Sequence, residues 1–119
     1  MGASAVMAGT AFLTTAEART SAYGRSAALW AAPQHLVRTR LYSGRLTQAL
    51  RSPLLDALTD YAPHMPPWPA ATAMMSALQQ KAVELGRNHL EAVYFGQSVG
   101  RSAAHSAEDM VLTLARLIS

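Results

Sequence analysis

The four histidines of this chain are its side chains best suited to bind a metal ion, and they stand apart. They are His35, His64, His89 and His105. No histidine has a second one three or four residues away, the spacing that puts two metal ligands on one helix face. His105 and Glu108 lie in the reverse order of the Glu-x-x-His pair of di-iron bundles, which also needs two copies. We therefore expect no metal site and no catalytic residue.

Gly96 and Gly100, followed by Arg101 and Ser102, raise the question of phosphate binding. A phosphate-binding loop needs G-x-x-x-x-G-K-[ST] after a strand. Here G-Q-S-V-G-R-S is one residue short, carries Arg in place of Lys and follows sequence of helical type. Small residues every four positions are instead typical of a helix face that another backbone approaches closely. We therefore expect no nucleotide and no other cofactor.

Positive charge is concentrated in the first half of the chain. Residues 1–51 contain six arginines and one acid, whereas residues 52–119 contain four basic and six acidic residues. The simplest interpretation is that the two halves pair, and the alternative is an anionic partner for the first half. The candidate anion contacts are Arg38, Arg40, Arg45 and Arg51. Helical phase separates them into two pairs, so nucleic-acid binding is not favoured.

The composition limits the function classes further. Half of the residues are hydrophobic, 14% are charged and none is cysteine. The absence of cysteine excludes disulfides, cysteine nucleophiles and thiolate metal sites. The low charge indicates a surface that a partner, a lipid or another copy of the chain covers. We expect an intracellular protein, cytoplasmic by default, with an organelle as the alternative because the first half is arginine-rich and poor in acids.

The alanine-rich sequence predicts an all-α fold, a single domain over 1–119 with four to five helices. The basic N-terminal half, 1–62, should form helices over 3–32 and 34–52. A third helix should begin at Ser52, which can cap it, and Pro53, which suits the first position. A proline-rich connector, 63–69, should lead to a helical C-terminal half, 70–119.

The C-terminal half shows apolar and small residues with three-four spacing, which predicts a long helix or a helix pair. We expect its packing face to hold Met75, Leu78, Leu85, His89, Gly96, Val99, Gly100, Ala103, Met110 and Leu114. The alternative is a break at Gly96 or Gly100. In that case Ser106 and Asp109 would cap a separate last helix.

Residues 77–93, ALQQKAVELGRNHLEAV, resemble the helical segments of phasins, the amphipathic proteins that coat polyhydroxyalkanoate granules. The residue types in common are Ala82, Glu84, Asn88, Leu90, Glu91 and Ala92. The resemblance implies binding to a granule surface through apolar helix faces, self-association and no catalytic residues.

These features together predict a non-catalytic structural or interaction protein, an accessory or assembly subunit that associates through small-residue helix faces. A partner protein, a second copy or a larger complex, is the expected ligand, and a small-molecule substrate is not expected. The alternatives are a phasin-like coat on a hydrophobic granule or membrane surface, and binding of nucleic acid or another anion by the N-terminal arginines.

Overall fold

The computed structural model describes residues 4–101, 103 and 106–118, and its fold mixes helices with a small sheet. The elements are α1 (Ala22–Trp30), β1 (Leu36–Thr39), β2 (Thr47–Leu50), α2 (Pro53–Leu58), α3 (Ala70–Glu84) and α4 (Ala107–Ile118). Short 3-10 helices span Thr10–Phe12, Pro33–His35, Thr59–His64 and Asn88–Leu90. The all-α prediction is therefore wrong, because two strands stand where a helix was expected.

The strands β1 and β2 form an antiparallel hairpin, with Leu36 opposite Leu50 and Thr39 opposite Thr47. β-Branched residues in β1 favour a pleated, half-buried strand over a helix. Gly44 lies in the connecting turn with φ +75, a left-handed conformation that side chains other than glycine rarely adopt. The prediction of a helix over 34–52 is therefore wrong.

The start of α2 is as the sequence predicts. The Ser52 hydroxyl accepts a hydrogen bond from the Leu55 N–H, and Pro53 occupies the first turn. The helix then continues as the 3-10 turn Thr59–His64, which includes Pro63. Leu55 belongs to the apolar cluster of this region, which also contains Leu41, Tyr42, Ala49 and Met75.

The region predicted to form a long C-terminal helix or a helix pair is interrupted at Gly86. This residue has φ +68, and its N–H donates to the Val83 carbonyl while the Arg87 N–H donates to the Ala82 carbonyl. These two bonds are the Schellman ending of a helix. Gly86 therefore ends α3, and the prediction of α-helix from residue 70 onward is wrong for the described residues 87–101.

A separate last helix begins where the alternative interpretation placed it. The Asp109 N–H donates to the Ser106 hydroxyl at 3.0 Å, and that hydroxyl donates to the Asp109 carboxylate at 2.8 Å. Ser106 thus satisfies an N–H that the first turn of a helix would otherwise leave unpaired. The capping pair is confirmed, although the preceding break lies at Gly86.

Residues 4–21, expected to be helical, form a looped segment instead. Arg25 on α1 donates from Nη1 to the Thr14 and Thr15 carbonyls at 2.9 and 2.6 Å, and from Nη2 to the Ala18 carbonyl at 3.0 Å. Helix α1 begins only after Ser21, whose hydroxyl accepts from the Gly24 N–H. The predicted helix over 3–32 is therefore wrong from residue 4 to residue 21, and residue 3 lies outside the described residues.

The chain divides into two compact units. The terminal unit consists of residues 1–33 and 96–119, and the central unit of residues 34–95. The sequence-based division into a basic half, a connector and a helical half stays a prediction. Within the described ranges, no helix is long and apolar enough to cross a membrane.

Candidate functional site

The central unit contains a cavity of about 600 Å³, a volume that suits a small molecule. We call it the arginine cavity. Its walls are formed by Val37, Arg38, Thr39, Arg40, Leu46, Arg51, Leu55, Asp56, Thr59, Ala62 and Pro63. Apolar side chains and three guanidinium-bearing residues thus meet in one place, which suits a ligand with an apolar part and a negative charge.

Strand β1 contributes three consecutive residues, 37–39, to this cavity, and Arg40, the residue after the strand, lines it as well. Since side chains of a strand alternate between two faces, consecutive lining residues indicate that the strand presents its edge to the cavity. In the described sheet β1 pairs only with β2, so its other edge is unpaired. The free edge of β1 is therefore one wall of the cavity.

The hydrogen-bond pattern shows which backbone groups lie on that edge. The Arg51 N–H donates to the His35 carbonyl at 2.9 Å, whereas the Leu50 N–H donates to the Val93 carbonyl at 2.8 Å. Hydrogen-bonded pairs alternate in an antiparallel ladder, so the Arg38–Gln48 pair is of the non-bonded kind. The Arg38 N–H consequently points away from β2, toward the free edge.

The three arginines of the cavity differ in their partners. Arg51 donates from Nε to an Asp56 carboxylate oxygen at 2.8 Å, and both side chains are more than half exposed. Arg40 donates from Nη1 to the Gly44 carbonyl at 3.3 Å and keeps its other donors. Among the described residues, Arg38 forms no ion pair and no side-chain hydrogen bond. Positive charge that is not neutralised therefore lies on the β1 side.

Arg45, the fourth candidate anion contact, does not line the cavity. Its guanidinium carbon lies 4.2 Å from the centre of the Trp68 ring, a cation–π contact. The turn is pressed against the proline-rich segment here, because a Cβ on Gly44 would collide with the Pro66 carbonyl oxygen. Arg45 thus fixes the turn, and its role as an anion contact stays a prediction.

The residues expected on one helix face are distributed over several elements. Met75 and Leu78 lie on α3, Leu85 follows its end, and His89 is in a 3-10 turn. Gly96, Val99, Gly100 and Ala103 lie in the loop before α4, which carries Met110 and Leu114. They do not share one helix, and their packing against a partner stays a prediction.

Polar side chains, which the helical interpretation overlooked, hold this loop within the terminal unit. The Thr10 hydroxyl accepts from the Gly96 N–H at 2.7 Å, and the Thr14 hydroxyl donates to the Ala103 carbonyl at 2.7 Å. The Thr-rich run 10–20 was the available signal, since threonine hydroxyls bond nearby backbone and oppose helix.

Gly100 allows the loop to approach the end of α1. It has φ +89, and a Cβ there would lie 2.9 Å from the Ala31 carbonyl oxygen. A cavity of about 520 Å³ lies beside it, lined by Ala32, Pro33 and residues 97–101. Close backbone approach at this glycine was expected from the sequence, but between two helices rather than between a loop and a helix end.

The described residues include one group with a shifted pKa. Burial, and secondarily the nearby Tyr42, raise the pKa of the Tyr94 phenol above its usual value. The two rings meet edge to face, with centres 6.0 Å apart. Tyr94 also pairs with Ala49 of β2, so it is part of the fold of the central unit. Its neutral form is therefore the one that the folded chain favours.

Comparison with known proteins identifies the class as an oxidoreductase family. The nitronate monooxygenase family model matches residues 1–116. The chain belongs to the nitronate monooxygenase family.

Individual relatives agree with this assignment. The chain is 26% identical over 119 residues to a probable nitronate monooxygenase of Staphylococcus aureus strain MSSA476, covering all of this chain and 34% of that protein. The corresponding protein of strain JH9 is 25% identical with the same coverage. The chain thus spans about a third of the length of these relatives.

A solved structure is similar as well. Nitroalkane oxidase from Streptomyces ansochromogenes superposes with a TM-score of 0.74 and 26% identity, over 93% of this chain and 31% of that chain. Since these proteins share a fold containing strands, the superposition agrees with the hairpin and not with an all-α bundle.

Family membership corrects several expectations drawn from the sequence. The resemblance to phasins is wrong, because nearly the whole chain, residues 1–116, matches the nitronate monooxygenase family. The prediction of a non-catalytic structural or assembly subunit is wrong. The alternatives, a granule coat and a protein whose function is to bind nucleic acid or another anion through its N-terminal half, are wrong as well. The individual arginines named as anion contacts stay a prediction. The expectation that no small-molecule substrate exists is also wrong, since the relatives are named for nitronates.

Proposed function

We propose that this chain works in an oxidoreductase that oxidises nitronates. The observation that carries the proposal is the family match over residues 1–116. The chain spans about a third of the length of its relatives. The proposed activity is therefore assigned to the complete enzyme, with its bound groups, and not to this chain by itself.

The arginine cavity supports an anionic substrate. A nitronate spreads one negative charge over two oxygens, and a guanidinium presents paired N–H donors that match such a group. A cavity of about 600 Å³ exceeds what a short alkyl nitronate fills, so part of the space remains for water or for the rest of the enzyme.

Transfer of electrons to O₂ requires a redox-active group, because protein side chains do not supply this chemistry. Among the residues described, no three His, Cys, Asp or Glu side chains lie together as metal ligands. We assign the residues of the arginine cavity a part in binding and orienting a small substrate.

The test is to isolate the intact chain from its source cells, with all that it binds, and to measure O₂ uptake with propyl-1-nitronate. We expect uptake that depends on the nitronate and parallels the loss of its ultraviolet absorbance. A heat-unfolded sample is the control. No nitronate-dependent uptake by the native preparation would overturn the proposal.

A second candidate follows from the similar structure, which is named for oxidation of nitroalkanes. Nitroalkanes are neutral, whereas the arginine cavity favours the anion. Adding 1-nitropropane and preformed propyl-1-nitronate in separate reactions distinguishes the two. Faster initial O₂ uptake with the nitroalkane would replace the first candidate by the second.

The intracellular location expected from the sequence stays a prediction.

A further inference from the structure

We propose that the arginine cavity binds a small monoanion in one defined orientation. Its two oxygens lie at the free edge of β1, between Arg38 and Arg40, and its short alkyl tail lies over Val37, Leu55 and Ala62. The proposal rests on the proposed function only in naming an alkyl nitronate as the natural ligand.

The free edge of β1 and the residue after it place three donor groups near one another. The Arg38 N–H points out of the ladder, and the residues Arg38 and Arg40 both line the cavity. Hydrogen bonds from charged donors to an anion are about twice as strong as neutral ones. Oxygens at this edge therefore receive both backbone and guanidinium donors.

The opposite side of the cavity is less suited to the negative group. Arg51 is paired with Asp56 at 2.8 Å, so that its charge is neutralised. The Asp56 carboxylate also repels any second negative charge on the ligand. This arrangement favours a single negative group at the β1 side and disfavours dianions.

The remaining walls select an apolar tail. Val37 and Ala62 are half-buried and pack against the apolar cluster that contains Leu55. Burial of each methylene of a ligand against such walls strengthens binding about two- to fourfold. A ligand without a tail is therefore expected to bind weakly.

Binding can be measured without turnover. Butanoate is the probe, because its carboxylate has the planar two-oxygen shape of a nitronate and cannot be oxidised in the same way. Titration of the full chain, followed by amide NMR, should shift the Arg38 and Arg40 N–H signals with saturation. Butylammonium, which has a similar tail and the opposite charge, should leave these signals unchanged.

Two variants and one control test the assigned residues. Arg38→Gln and Arg40→Gln should each weaken butanoate binding about five- to tenfold, because each removes a charged donor. Arg87→Gln is the matched control, since Arg87 is exposed in the same unit and does not line the cavity. Its affinity should equal that of the unchanged chain.

Asp56→Asn tests the orientation by a gain that misfolding cannot produce. Removing the carboxylate frees Arg51 and ends the repulsion, so butanoate should bind about two- to fivefold more tightly. A dianion such as succinate should gain more than butanoate. Circular dichroism of every variant should match that of the unchanged chain.

A series of acetate, propanoate, butanoate and pentanoate completes the test, with affinity expected to rise at each added methylene. Equal affinities for butanoate in Arg38→Gln, Arg40→Gln and Arg87→Gln would overturn the site, whether or not nitronate is oxidised. Butanoate binding that needs both arginines, without any nitronate turnover, would retain the site and reject the proposed function.

Discussion

The two units of the chain are stabilised by different kinds of contact. In the central unit, large apolar residues such as Leu41, Tyr42 and Leu55 form a buried cluster together with Ala49 of β2. In the terminal unit, the buried residues are small, among them Ala27, Ala28 and Ala31, and polar side chains bind loop carbonyls. Burial of large apolar side chains therefore stabilises the central unit, whereas the terminal unit depends more on polar side chains that bind backbone carbonyls.

The largest effect is expected from Leu55→Ala in the central unit. Leu55 is 4% exposed, and its loss leaves a cavity in the apolar cluster. The free energy of unfolding should fall by about 3 kcal/mol in urea titrations. Leu85→Ala is the control, because Leu85 is 62% exposed and should change stability by less than about 0.5 kcal/mol. Equal effects would show that the apolar cluster does not stabilise this unit.

In the terminal unit, Arg25→Met should lower the free energy of unfolding by about 2 kcal/mol. The change keeps a long apolar stem but removes three hydrogen bonds to partly buried carbonyls. Arg19→Met, at an exposed position, is the control. Hydrogen exchange of residues 14–18 should increase in the first variant alone. A stability equal to that of the control would contradict the polar character assigned to this unit.

Ser106→Ala should cost about 1 kcal/mol, because it removes the acceptor for the Asp109 N–H at the start of α4. Faster amide exchange in the first turn of α4 is the measurement. Ser76→Ala, at an exposed position inside α3, serves for comparison and should not destabilise the chain. Unchanged exchange in α4 would mean that the cap does not define its start.

The smallest effect is expected on the pH dependence of stability, through Tyr94 of the central unit. The pKa of Tyr94 is raised when the chain is folded, so the neutral phenol is favoured in the folded state. Its contribution to stability is present below the unfolded pKa, about 10, and is lost as pH rises through the higher folded pKa. Tyr94→Phe should therefore weaken the fall of stability above pH 10. If the free energy of unfolding fell equally above pH 10 in both proteins, Tyr94 would not be the group responsible.

The sequence allowed the local signals of the fold to be predicted. Ser52 with Pro53 and Ser106 with Asp109 specify helix starts through side chains that act within one turn, and both starts are present. The hairpin was missed because its apolar residues were assigned to helical faces, and its β-branched residues and Gly44 received too little weight. Pairing of distant segments depends on contacts that local spacing does not encode.

The candidate site was predictable only in part. Charge asymmetry drew attention to the correct stretch of arginines, and Arg38, Arg40 and Arg51 do line one cavity. Helical phase separated Arg38 from Arg40 and Arg51, whereas strand β1 and the residue that follows it bring Arg38 and Arg40 to the same cavity. The pairing of Arg51 with Asp56 and of Arg45 with Trp68 depends on tertiary contacts. Sequence spacing alone therefore could not show which of the four arginines keep their guanidinium groups available for an anion.

The unpaired edge of β1 has a consequence for solubility. An exposed strand edge can accept a strand from another molecule, which is a common route to aggregation. Guanidinium groups at Arg38 and Arg40 oppose this, because two copies that met along the edge would bring like charges together. When no ligand is bound, these two side chains therefore disfavour pairing between the β1 edges of two copies.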